Sequence, residues 1–151
     1  MFHFSLQTAL DVRERQEKIK MKELAETLSV EQEIQGRINY IHESLKKSET
    51  SLDRQKEEGK LDLDQMKYLF AFKSRMDIAL TQLDNSMTEA NAETSKRRDS
   101  LVEASRAKKT LEIIKDKEKK RTLVKIARIE RMEMDEIAGN LFNNRRENFE
   151  N

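Results

Sequence analysis

The stretch RQKEEGKLDLDQM, from Arg54 to Met66, decides how this chain folds. It interrupts a sequence otherwise made of helix formers, and Gly59 is the one residue of that middle region that adopts positive φ without steric cost. Just beyond it Asp62 is placed to cap a new helix, and Gln65 stands three residues on, as in a capping box. Leu61 and Met66 have the spacing of a hydrophobic staple. One helix therefore ends here and another begins.

Outward from this turn, apolar residues recur every three and four positions, the period of a helical stripe. The first series is Leu10, Leu24, Ile38, Leu45 and Leu52, interleaved with Leu6, Ile34 and Ile41. The second runs Met66, Leu69, Met76, Leu80, Leu83 and Met87, then Ala90, Leu101, Ala104 and Leu111. Both keep a seven-residue repeat, which stays on one side only when helices supercoil about a partner. Folding back at Gly59 opposes positions whose numbers sum to 121, such as Leu10 with Leu111, Ile34 with Met87 and Ile38 with Leu83. The same register opposes Ile41 to Leu80, Leu45 to Met76 and Leu52 to Leu69.

The expected fold is all-α: a long antiparallel two-helix coiled-coil hairpin whose C-terminal helix extends past the N-terminal one. As a single domain over 1–151 it divides into a helix over about 5–57, a turn over about 58–61, a helix over about 62–139 and a tail over 140–151. Ser5 is a weaker candidate for the first N-cap. The seam is expected to be firm near the turn and looser toward the termini. There the register sets Lys20 against Leu101, Leu24 against Arg97, Glu17 against Ala104 and Arg13 against Lys108, and drift would bring Met21 and Leu28 inward.

Composition agrees with a narrow seam. Charged residues make up 39% of the chain and aromatics 5%, too little apolar bulk to close a many-sided core. Thirty basic residues balance 29 acidic ones, so self-repulsion does not enforce disorder and no global field attracts nucleic acid or an anionic membrane. Any such contact would have to be local. With no cysteine there is no disulfide or thiolate metal site. The opening MFHFSLQTALDV lacks a signal-peptide pattern and no stretch approaches the length of a membrane span, so a soluble, unexported protein is expected.

The two arms are unequal. The N-terminal helix runs out when the other has reached about residue 115, and the remainder to Gly139 adds on the order of 35 Å of single helix. That overhang carries Leu123, Val124, Ile126, Ala127, Ile129, Met132, Met134, Ile137 and Leu141, with nothing in its own chain to cover them. A basic band from Lys115 to Arg131 precedes an acidic group, Glu133, Asp135 and Glu136, and helical ion pairs account for most of these charges. They do not account for the apolar positions, which call for another protein. A second unusual run, YLFAF at Tyr68–Phe72, wraps the whole circumference of a helix, so part of it packs and part is left to a structured turn or a partner.

Catalysis is not expected. A two-helix seam offers no shielded cavity, the glycines are isolated at Gly36, Gly59 and Gly139, and His3 and His42 lack the spacing of a metal-binding pair. Asp62 and Asp64 are explained by capping. No catalytic residue, metal, cofactor, small-molecule substrate or nucleic-acid partner is assigned.

The opening FSLQTALDVRERQE, the glycine turn followed by an aromatic-rich helix, and the closing RMEMDEIA together resemble the FliJ family of flagellar type III export proteins. Met134, Asp135, Glu136, Ile137 and Ala138 match that family's C-terminal pattern of Met or Leu, Asp, Glu, an apolar residue and Ala. Asn140, Asn143 and Asn144 follow as a departure from it. The resemblance implies a stalk-like cytoplasmic component that inserts into the hexameric export ATPase ring, FliI, and promotes its assembly and activity. It further implies contacts with the export gate protein FlhA and with export chaperones, and peripheral association with the inner face of the cell membrane through the gate. On that basis Ile129, Met132, Met134, Asp135, Glu136 and Ile137 are the expected ATPase-ring contacts. Ile34, Ile38, Ile41, Phe72, Met76, Ala79 and Leu83 are the expected export-gate contacts, although plain coiled-coil packing explains each buried position too. Two rival readings stand beside this one: the equivalent stalk of a virulence-type secretion system, and a self-associating structural coil.

Overall fold

The computed structural model describes residues 2–149, with side chains described through residue 143. It contains two helices, α1 (Gln7–Glu57, 51 residues) and α2 (Leu63–Phe149, 87 residues), in a hairpin. The chain divides into two compact units, one formed by Met1–Gln16 with Ala104–Asn151 and the other by Glu17–Glu103.

The turn forms around Gly59, whose φ is 68°, the one positive value among the described residues. Its amide donates to the Lys56 carbonyl at 3.2 Å while the Lys60 amide reaches the Gln55 carbonyl at 3.0 Å. These paired bonds are a Schellman motif, which satisfies carbonyls that the last helical turn leaves orphaned. A side chain at position 59 would cost about 1–2 kcal/mol in this backbone conformation. Asp62 then opens α2: its carboxylate accepts from the Asp64 amide at 3.1 Å and its carbonyl from the Met66 amide at 3.1 Å. The reciprocal Gln65 bond of a full capping box is absent among the described residues.

Within the unit Glu17–Glu103 the seam follows the heptads. Ile38 and Ile41 are buried, while Leu45, Leu52, Leu69, Met76, Leu80, Leu83 and Met87 are half-buried. Lys73 Nζ lies 3.5 Å from Glu49 Oε1 and Arg97 Nη1 lies 2.8 Å from Glu23 Oε2, pairs whose numbers sum to 122 and 120. They straddle the value of 121 expected from the repeats. Met21 does not turn inward; it is exposed, whereas Leu24 and Leu28 are half-buried. A polar layer fills that stretch instead.

Thr94 sits in this unit with 2% of its surface exposed, and its hydroxyl oxygen is buried without a hydrogen-bond partner. Valine keeps the shape and removes the unmatched group, so Thr94→Val is expected to raise stability by about 1–2 kcal/mol. The measurement is the midpoint of urea unfolding at unchanged slope. A lowered midpoint would mean that the hydroxyl has a partner in solution.

In the other unit the N-terminal cover differs from the one expected. Leu6 was placed on the stripe but is 41% exposed, and Phe4 is buried in its stead at 4%. The cause is where the helix starts. The Gln7 amide donates to the Phe4 carbonyl at 3.2 Å, closing a turn, and the first helical bond runs from the Leu10 amide to the Leu6 carbonyl at 3.0 Å. Leu6 thereby occupies the N-cap position expected for Ser5. Phe4 is folded inward and Leu10 is buried too, and Lys115 Nζ lies 5.9 Å from the centre of the Phe4 ring. Lys115 also donates to the Gln7 amide oxygen at 2.8 Å, and the Gln7 amide nitrogen donates to Asp11 at 2.8 Å.

The C-terminal end of α2 also corrects the expected boundary. The helix runs through Gly139 and on to Phe149 instead of stopping at 139 with a tail from 140. One helical glycine costs only about 1 kcal/mol relative to alanine, and no proline follows to remove a donor. The side chain of Asn144 and the structure of residues 150 and 151 lie outside the described residues.

Candidate functional site

Beyond Thr122, every residue of α2 from 123 to 143 is exposed. Twenty-one residues at 1.5 Å rise give about 30 Å of helix with no covering element. Positions Ala104, Lys108, Leu111, Lys115, Glu118 and Thr122 mark the face covered in this unit, and their three-four spacing projects onward to Ile129, Met132 and Glu136. Leu123, Ala127, Met134, Ile137 and Leu141 lie elsewhere, centred about 110° round the helix from that line. The apolar residues of the overhang are thus mostly not a leftover of the hairpin seam.

All six expected ring contacts are exposed, with Met134 at 70%. The helix spreads them over three sides instead of gathering them on one: Ile129, Met132 and Glu136 on the projected seam line, Met134 and Ile137 on the second stripe, and Asp135 between. A single flat partner could not reach all six.

The seven expected gate contacts have the opposite environment. Ile38 and Ile41 are buried, and Ile34, Phe72, Met76, Ala79 and Leu83 are half-buried along the seam. They hold the hairpin together, and only their edges are open. One such edge is a groove of about 630 Å³ lined by Gly36, Tyr40, Ile41, Ala79, Gln82 and Leu83. It exists because Gly36 and Ala79 bring little side chain to the helix pair. Nearer the turn, Tyr68 and Phe70 are exposed while Leu69 and Phe72 turn to the seam, which divides the aromatic run between packing and surface. Sequence reading passed over Tyr40, whose signal is its place beside the heptad position Ile41, off the stripe and open to water.

Charge is concentrated in one layer of the same unit. Glu23 Oε2 accepts from Lys20 Nζ at 2.9 Å and from Arg97 Nη1 at 2.8 Å, and Arg97 Nε donates to Glu93 at 2.8 Å. The bond from Lys20 holds the Glu23 carboxyl below the usual glutamate range; burial opposes this and Arg97 adds to it. Glu93 first, then Glu23, raises the Arg97 guanidinium above its ordinary value. Folded Glu23 therefore takes up a proton less readily than the unfolded residue, so its contribution is present above the unfolded value and is lost as pH falls through the folded one. Urea midpoints of the native chain and Glu23→Gln are expected to differ at neutral pH and to converge below the usual glutamate range. A constant gap across that window would remove Glu23 from the acid response.

Both histidines are exposed, and among the described residues no cluster of three or more His, Asp or Glu is arranged to hold a metal ion. No described helix is long and apolar enough to cross a membrane. The overhang presents exposed apolar side chains with charges beside them.

Searches of curated proteins and of solved structures returned no match. The family model described as flagellar FliJ protein matches residues 2–147 of the 151, from the inward-folded Phe4 through the uncovered stretch of α2. The chain belongs to the FliJ family, and its role lies in flagellar protein export.

Proposed function

We propose that this chain is the stalk of the flagellar export ATPase. The overhang enters the central opening of the hexameric ring, FliI, and promotes the ring's assembly and activity without catalysis of its own. The observation that carries this reading is the run of exposed residues from 123 to 143, apolar at several points and without cover. The distribution of Ile129, Met132, Met134, Asp135, Glu136 and Ile137 over three sides supports it further. A helix inside a ring is met from all round, whereas one docked on a flat face is met on one side.

The hairpin seam links the ATPase to the export gate protein FlhA. Ile34, Ile38, Ile41, Phe72, Met76, Ala79 and Leu83 supply that contact, with the open edge at Gly36 and Ala79 as its entry. Export chaperones are further partners, and the assembly places the chain at the inner face of the membrane. The test is a chain ended after Thr122, which keeps every position of α2 that is covered among the described residues. Added to the purified ATPase, the full chain is expected to raise ring formation and hydrolysis, and the shortened one to leave both at the level of the ATPase alone. Equal stimulation by the two chains would overturn the reading.

A further inference from the structure

The chain as a whole is nearly neutral, but the segment from Lys117 to Arg131 holds seven cations and two carboxylates. These cations are not evenly spread. At 100° per residue Leu123, Val124, Ala127, Met134, Leu141 and Phe142 fall within an arc of about 100°. Lys120 and Arg131 lie inside that arc and Lys117 and Arg128 border it, while Glu133 and Glu136 point to the far side. Glu130 and Asp135 sit at its two margins. All six apolar residues are exposed.

From this arrangement we infer that the uncovered part of α2 has a second binding surface, for the anionic headgroups of a lipid bilayer. The apolar arc is wide enough to sink to the acyl boundary, and lysine and arginine stems let their charged heads rise to the phosphates. A nucleic acid would be served by the cations alone and leaves the apolar arc without purpose. A second copy of the chain fits poorly. Laid antiparallel along Leu123, Ala127, Glu130 and Met134, it buries both copies of Glu130 in the seam. A bilayer presents one sign of charge and accepts the arc as it stands. The surface shares Met134 with the one proposed for the ring, whose Ile129, Met132, Glu136 and Ile137 lie outside the arc.

The experiment uses the full chain and flotation with vesicles of phosphatidylcholine alone or mixed with phosphatidylglycerol. Binding is expected to the mixed vesicles only, and to fall with added salt. Lys120→Glu with Arg131→Glu reverses two charges in the arc and is expected to lower the bound fraction about tenfold. Leu123→Ser with Phe142→Ser is expected to abolish flotation. Glu133→Gln with Glu136→Gln, on the far side, retains or strengthens it. All of these positions are exposed, so helicity by circular dichroism is expected to be unchanged. Flotation that is absent, equal on both vesicles or indifferent to the serine pair overturns the inference. Salt-sensitive binding to RNA that survives the serine pair also overturns it, in favour of a nucleic-acid surface. No ATPase is present, so failure here leaves the ring hypothesis untouched, and failure of the ring assay leaves this one untouched.

Discussion

Phe4→Ala is expected to lower the unfolding free energy by about 3 kcal/mol, the low end for a buried phenylalanine because its neighbours in a narrow seam can close in. Phe4 is 4% exposed although it precedes the first residue of α1, so the chain ahead of the helix is held by this ring. Removing it opens a gap where a buried ring stood and takes away the aromatic face under Lys115. The bond from Lys115 to Gln7 then has to keep the helix start in place, and one hydrogen bond to a charged donor contributes only about 1.5–3 kcal/mol. Urea unfolding measures the effect. A shift below about 1 kcal/mol, on the scale of an ordinary surface change, would show that the ring is not packed in solution.

Ile38→Ala is the second large change, expected to cost about 2–4 kcal/mol. Ile38 is buried, and in the observed register it faces the half-buried Leu83. A seam two helices wide has no third element to fill the gap left by an isoleucine. Tyr40→Ala provides the comparison, since Tyr40 lies two residues further on and is exposed; its change should stay within about 0.5 kcal/mol. Similar losses at both positions would mean that the seam does not run where the heptads place it.

The hairpin was legible because heptad phase and a glycine turn are both local signals. Leu10, Ile38 and Ile41 repeat on one stripe, and Gly59 marks where that stripe turns back. What periodicity misses lies where helices begin and end. Phe4 is out of helical phase because a turn, not a helix, positions it, so Leu6 looked better placed than it is. Gly139 resembled a stop signal, but glycine ends a helix only when the chain has another conformation to adopt, and the backbone there stays helical. The candidate ring contacts were visible as apolar residues without partners. Their relation to the covered face was not, because it depends on the phase of α2 against the residues that cover it.

The polar layer has a consequence for alignment. Hydrophobic heptads are satisfied by any shift of seven, so greasy stripes alone allow one arm to slide along the other in steps. Charges break that degeneracy. A slip of seven would bring Arg97 opposite Gln16 or Val30 in place of Glu23, and Lys73 opposite His42 or Lys56 in place of Glu49. Neither ion pair adds much to stability where it is exposed, yet together they act as index marks. The oily residues fix the phase and the ions choose which notch.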